Sequence, residues 1–535
     1  GDLLDDVVRF CDQALSERSV YAVLHRERDR LFPDELFADV FSDRGRRSVP
    51  PSVVATVMVL QRLEGLSDRE AVERYAFDAR WRYAAGVGGY DCGGWGRFAH
   101  TVLVDMRARL AASDDPRRIF KVTVAAAAAA GLVGARRVLD STPLYDAVAT
   151  MDTVTLIRSA ILGLLRVADE VLETELRAVL TSGDGYASAA KPQIDWDDRD
   201  ARDALIDSRA RDAFACLAWL DGRALGPAVA EAAQLVATVV GQDLEETADG
   251  VFRIARRVAK DRVISTVDPQ ARHGHKTSAR GFDGYKGHVA VDPDSEIITD
   301  TVVSAGNAGD ATVAADLIDD LLDDTADGDP DGAAGAAGDG AEGAEAEADR
   351  ATVYGDAAYG AGEFLQRLAE ADIDSRCKTQ PPTAPGGRFA KDRFDINLDD
   401  DTVTCPAGVT VTIRRSADGE GTACFAGSCG DCPLRPECTT AVGGRSIRVG
   451  RYEQRLADAR GAQQDPGWVA DYRATRPKVE RKLGHLMRRR HGGRRARMRG
   501  RRKVDADFNL LTAAHNLARL GVLGLRFTSN GWVTA

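Results

Sequence analysis

Two short apolar runs lying far apart in the chain, Arg136-Arg-Val-Leu-Asp140 and Ala351-Thr-Val-Tyr-Gly-Asp356, each end in an aspartate. Runs of this length, rich in Val, Leu and Tyr, predict strands, and carboxylates at strand ends of an open sheet converge on one edge. If both strands belong to one sheet, the residues between them form excursions from a single core. Tyr285 to Val291 alternates like a strand, Pro293-Asp294-Ser295 turns the chain, and Ile297 to Val303 returns, so a hairpin is predicted between the two aspartates. A third carboxylate, Glu480, lies on a helix predicted to start at Pro477 and run through Val479, Leu483 and Leu486.

The remaining segments read as helices and insertions. Pro50-Pro51 opens a helix stopped by Gly65; Ser67 caps a second one, with Glu70 completing a capping box and Gly86 ending it. Helix, glycine turn and helix suit a helix-turn-helix, and a plain helical hairpin equally well. The alanine-rich run Val122 to Val133 predicts a helix ending at Gly131 and is too short for a bilayer span. Residues 156–261 read as helical, with Leu156, Ile157, Ile161, Leu164 and Leu165 on one stripe. Residues 323–349 are Ala, Gly, Asp and Glu without an aromatic residue, which predicts a disordered linker.

Net charge must be divided before it says anything about partners. The whole chain sums to −12, yet Asp316 to Asp349 holds thirteen acids and no base, whereas Asp471 to Lys503 holds fifteen Lys or Arg and two acids. Phosphate binding follows local clusters, so a polyanionic partner is expected despite the total. The run Arg488, Arg489, Arg490, Arg494, Arg495 and onward to Lys503 lies between two apolar helices, the second predicted from Leu510 to Leu520. That placement favours a positioned clamp on a nucleic-acid backbone over a solvated tail.

Of nine cysteines, five fall between Cys405 and Cys438. Cys405, Cys429, Cys432 and Cys438 have a spacing suited to tetrahedral zinc, with Cys424 as an alternative to Cys405. Cys11, Cys92, Cys216 and Cys377 read as core or surface thiols. One local cysteine site and no apparent export signal predict a cytoplasmic, nucleoid-associated protein. Three carboxylates in one cleft would suit Mg²⁺, with Mn²⁺ as substitute, and two such ions suit phosphodiester transfer.

Leu139-Asp140-Ser-Thr-Pro-Leu-Tyr-Asp146, Phe282-Asp-Gly-Tyr-Lys-Gly-His288, Gly306-Asn307 with Asp310, Tyr354-Gly-Asp356-Ala-Ala-Tyr359 and Arg476-Pro-Lys-Val-Glu480-Arg-Lys resemble, in the same order, segments of bacterial insertion-sequence transposases of the DDE class. The resemblance implies an α/β ribonuclease-H-like core with a mixed five-stranded sheet, preceded by an all-α domain and interrupted by a helical insertion and a small cysteine-rich one. It implies a DNA-binding helical domain over 1–120, core segments over 121–155, 262–378 and 470–525, insertions over 156–261 and 379–469, and a tail over 526–535. Asp140, Asp356 and Glu480 would be the catalytic metal-binding triad, with Lys286, His288, Tyr472 and Arg476 joining the basic run on DNA. Cleavage at element ends and strand transfer into target DNA, by a homodimer on double-stranded DNA, would follow. Two departures stand out. Tyr472 lies one residue further from Arg476 than in related transposases, and Met487 occupies the expected lysine position, with Arg488 next to it. A divalent-metal nuclease without transposition and a non-catalytic DNA-binding derivative are the alternatives.

Overall fold

The chain that precedes the first strand is helical because its caps and apolar spacing leave little choice. A computed structural model describes residues 7–41, 49–88, 96–146, 150–187, 192–277, 279–323 and 350–534. Cys92 and nearly all of the acidic stretch 323–349 lie outside the described residues. Helices α1 (Val7–Ala14) and α2 (Val20–Leu31) lead to α3 (Pro51–Glu64), whose proline stands at the first position and whose end is Gly65 at φ 69°. Ser67 and Glu70 form the expected capping box on α4 (Asp68–Phe77). The helix does not continue to Gly86 as predicted. Asp78 adopts an extended backbone and caps the N–H of Arg80, which starts the separate α5 (Ala79–Ala84). Then follow α6 (Thr101–Ala112) and the alanine-rich α7 (Arg118–Ala129).

Strand β1 (Arg136–Tyr145) enters the sheet, and the chain leaves it at once for α8 (Thr153–Val167), α9 (Glu170–Val179), α10 (Arg199–Leu220) and α11 (Pro227–Asp243). These helices enclose their own core of Leu156, Ile161, Leu165, Cys216, Val236 and Val240. A hairpin of β2 (Leu244–Glu246) and β3 (Phe252–Ile254), absent from the sequence reading, closes the insertion.

The chain returns through β4 (Arg272–Thr277), β5 (Arg280–Val291), β6 (Ile298–Ala305), β7 (Thr352–Gly355) and β8 (Asp374–Cys377). The described sheet has six strands, with β1 antiparallel to β5 and parallel to β7, and β7 parallel to β8. Both β4 and β6 pair with β5, on successive stretches of it: Arg280 to Gly284 against β4, Tyr285 to Val291 against β6. The sheet thus has one strand more than the five expected, because β4 pairs with the part of β5 that extends beyond β6.

The helix Arg501–Val522 begins well before the predicted Leu510, because Val504, Asp507 and Phe508 are already buried. It covers the β6 edge: Asn516 accepts from the Ile298 N–H (2.9 Å) and donates to its carbonyl (2.8 Å), and Asp505 accepts from the Val303 N–H at 2.9 Å. Gly287 on β5 lets it approach, since a Cβ there would lie 2.7 Å from the Phe508 ring. Leu24, Val57, Leu103, Phe120, Val289, Leu511 and Leu517 belong to one continuous core. The helical head is thus fused to the sheet, not hung from it.

The cysteine-rich insertion is a five-stranded antiparallel sheet of β9 (Asp395–Asn397), β10 (Thr402–Thr404), β11 (Thr410–Arg415), β12 (Gly421–Cys424) and β13 (Ser446–Val449). The helix after it, Glu453–Ala462, already packs on the main core through Leu456 and Ala459. Near the end of the chain β14 (Arg526–Thr528) and β15 (Gly531–Val533) form a hairpin. Among the described residues no helix is long and apolar enough to cross a membrane.

Candidate active site

Strand β7 accompanies β1 only through Val138, while β5 accompanies it from Val138 to Tyr145. From Leu139 to Leu144 one edge of β1 is therefore open, and a cleft of about 640 Å³ lies against it. Asp140 sits inside this ten-residue strand and not at its end as predicted; pairing with β5 carries β1 past it. Asp356 does follow directly on its strand, where one carboxylate oxygen accepts the N–H of Ala358 at 2.9 Å. Glu480 stands exposed in the first turn of the helix Pro477–Leu486. All three line the cleft.

Arg476 is the link between them. It occupies the joint between the helices Pro466–Thr475 and Pro477–Leu486, is only 6% exposed, and places Nη2 3.0 Å from Asp140 and 3.9 Å from Asp356. It pairs with the two strand carboxylates and is no surface partner of Glu480. Burial works against its charge, yet Asp140, Tyr472 and Asp356 together hold it more firmly protonated than an ordinary arginine. Its Nη1 is buried and has no hydrogen-bond partner. Burial pushes the Asp356 carboxyl above its usual range; the Ala358 N–H and Arg476 oppose this, while Asp140 and Asp310 add to it.

Asp310 is a fourth carboxylate on the cleft. It is buried, accepts from Ser141 Oγ at 2.5 Å and from Lys286 Nζ at 2.7 Å, and Lys286 also donates to the Ala308 carbonyl at 2.8 Å. The sequence offered its Gly306-Asn307 neighbourhood as a signal but no reason to place it in the cleft.

Two expected DNA contacts are placed elsewhere. His288 is wholly buried, between the Tyr359 hydroxyl (3.0 Å) and Ser304 Oγ (2.8 Å), because it faces inward on a central strand. Burial pushes its pKa down to about 4, with Asp310 opposing, so the ring is neutral. Tyr472 is 7% exposed, stacks on Trp468 and donates to the Gly355 carbonyl at 3.3 Å, which makes it a buttress for the turn that carries Asp356. Met487 forms apolar wall in the same cleft.

The basic run is ordered. Arg488, Arg489, Arg490, Arg494 and Arg495 are exposed, while the backbone beneath them is pinned on both sides. The Tyr145 N–H donates to the Arg494 carbonyl (2.8 Å), and the Ala496 N–H donates to the Tyr145 carbonyl (2.9 Å). On the head, Arg62 donates to the His491 carbonyl at 3.2 Å and His491 Nδ1 bonds the Leu63 carbonyl.

Cys405, Cys429, Cys432 and Cys438 surround one cavity of about 30 Å³ in the small sheet. Cys424 does not join them: Ala423 beside it is buried, so strand alternation turns Cys424 outward to Ser446 (3.1 Å). Among the described residues no three His, Cys, Asp or Glu side chains converge tightly enough to hold a metal as they stand. The carboxylate cleft still fits Mg²⁺ by its donor set, since that ion takes one or two carboxylates and keeps its waters, and a guanidinium already rests between Asp140 and Asp356.

Two comparisons bear on this arrangement. Residues 404–521, which include the cysteines, Arg476, Glu480 and the basic run, match the family described as "Transposase DDE domain". Residues 10–109, the helical head, match "Transposase domain (DUF772)". Over these two stretches, which together span less than half of its length, the chain is similar to transposases with a DDE domain and a transposase N-terminal domain. A DDE domain implies a ribonuclease-H-like fold, a catalytic transposase that uses divalent metal, and DNA as partner. No curated protein and no solved structure matches the chain.

Proposed function

We propose that this protein cuts DNA at the ends of an insertion sequence and transfers the freed strands into target DNA. The observation that carries the reading is the meeting of Asp140, Asp356 and Glu480, from three distant segments, on one cleft whose rim bears exposed arginines. Asp140, Asp356 and Glu480 would hold the divalent ions, which when bound would supply positive charge for activating an attacking oxygen and stabilising a leaving one. Arg476 offers its buried, unpartnered Nη1 to a phosphate oxygen beside the carboxylates. Asp310 keeps the Lys286 ammonium at the cleft floor. Arg488, Arg489, Arg490, Arg494 and Arg495 grip the sugar-phosphate backbone without reading bases, so binding weakens steeply with salt. Two element ends are processed together, which calls for a homodimer on the DNA. Cys405, Cys429, Cys432 and Cys438 would hold a structural zinc at their cavity, with no role in the chemistry.

Met487, apolar where related transposases carry lysine, favours a second reading as a DNA-binding derivative that no longer cuts. The test uses plasmid DNA carrying the sequences that flank the gene, with Mg²⁺ or Mn²⁺ and either wild type or Glu480→Gln. Wild type alone should cut at the repeat boundaries and join ends to target. Cutting elsewhere would mean a nuclease, and binding without cutting by either protein would leave the derivative.

A further inference from the structure

The wall of the cleft that carries no carboxylate is built differently from the rest. Tyr145, at the end of β1, is 44% exposed and meets buried Phe282 of β5 edge-on, with centroids 6.0 Å apart. His275 and Lys276 on the β4 arm, Arg280 at the start of β5 and Arg494 from the basic run line the same cleft as this ring. Among the described residues no ion pair engages Lys276, Arg280 or Arg494. The backbone beneath the ring is fixed through both its N–H and its carbonyl, to Arg494 and Ala496. A partly exposed aromatic ring that shares its cleft with cations free of ion pairs fits a nucleic-acid strand whose base is free to stack. It does not fit a closed duplex, in which both faces of each base are already covered by neighbours and only phosphates and groove edges are offered.

We propose that this wall binds an unpaired stretch of DNA strand next to the phosphate handled by the carboxylates. One base lies on Tyr145, and Lys276, Arg280 and Arg494 hold the adjoining phosphates. The proposal rests on the DNA-processing reading of the cleft and names the form of DNA it takes. Because every base has a stacking face and the cations meet only phosphates, the site tolerates any sequence there. The β4 arm is the element that makes this possible, since it extends the sheet past β6 and carries His275 and Lys276 to the cleft.

The test measures binding by the full-length protein in EDTA, where nothing is cut. The probes are a blunt duplex and the same duplex with a short single-stranded overhang containing 2-aminopurine. Wild type should bind the overhang form about tenfold more tightly, as expected for one stacked base, and quench the 2-aminopurine fluorescence. Tyr145→Ala should lose both the preference and the quench, and Tyr145→Phe should keep both. Lys276→Ala with Arg280→Ala should reduce the preference while leaving the residual quench on Tyr145. Thermal unfolding of each variant separates these effects from misfolding. Equal binding of the two duplexes by wild type, or a preference that survives in Tyr145→Ala, would overturn the proposal while DNA binding itself stands. Failure to bind either duplex would instead bring down the reading of the cleft as a DNA site, and this proposal with it.

Discussion

Replacing Arg476 by Met keeps the length of the side chain and removes its charge, leaving Asp140 and Asp356 facing each other. In the native protein Nη2 lies 3.0 Å and 3.9 Å from the two carboxylates, and the side chains of Arg476, Asp140 and Asp356 are 7%, 15% and 45% exposed. Removing one member of a buried pair costs about 3–5 kcal/mol, because the survivor stays desolvated without its partner. Asp356 is nearly half open to water and can be hydrated, so the lower end applies, about 3 kcal/mol. A divalent cation does the same electrostatic work as the lost guanidinium. Arg476→Met should therefore unfold several degrees below wild type in EDTA and recover much of the difference in millimolar Mg²⁺ or Mn²⁺. Wild type, whose carboxylates already have a cation, should gain less. Asp140→Asn in the Arg476→Met background should restore part of the stability in EDTA and reduce the response to metal. The assay is thermal unfolding followed by fluorescence, with and without metal, on all the variants. A variant as stable as wild type in EDTA would refute the reasoning; so would a loss that metal leaves untouched.

Other consequences follow from single positions. Gly65→Ala should destabilise the protein by about 1–3 kcal/mol, since φ is 69° and a Cβ there would lie 2.5 Å from the Arg490 carbonyl oxygen; denaturant titration reads this directly. His288 stays neutral in the fold with a pKa near 4, whereas in the unfolded chain it takes up a proton at its ordinary value of 6.5. Its contribution is thus fully present above pH 6.5 and is lost as pH falls toward 4, amounting to about 2 kcal/mol by pH 5. The stability difference between wild type and His288→Gln should accordingly shrink between pH 7 and pH 5, and a difference that is constant with pH would contradict the assignment. Protein purified without chelators should contain about one zinc per chain by elemental analysis, Cys432→Ser should lose it, and Cys424→Ser should retain it.

The local devices were legible because they depend on near neighbours in sequence. Pro51, Gly65, and the Ser67–Glu70 box set helix ends through backbone φ and unsatisfied N–H groups, whatever the rest of the chain does. The alternation of Tyr285 to Val291 and the turn after it gave the β5–β6 hairpin for the same reason. Asp78 escaped notice as a helix break because Asp is as common on a helix surface as at a cap, and only its extended backbone decides between them. The β4 arm escaped notice too: Arg272-His-Gly-His-Lys-Thr277 has no apolar alternation, and it is a strand only because β5 offers it a free edge.

Taken alone, the sequence determined which residue types were available for the chemistry: three carboxylates in separate segments, a dense arginine run, and cysteines at ligand spacing. Tertiary structure decided which of them meet. Burial turned His288 and Tyr472 from candidate DNA contacts into supports, and strand alternation separated Cys424 from the other four cysteines of its cluster. The mismatch in length between β1 and β7 opened the edge at Asp140, and the joint between two helices placed Arg476 against Asp140 and Asp356. Such outcomes depend on which strand ends first and which face a helix buries. These are properties of packing between distant segments, and no window of neighbouring residues contains them.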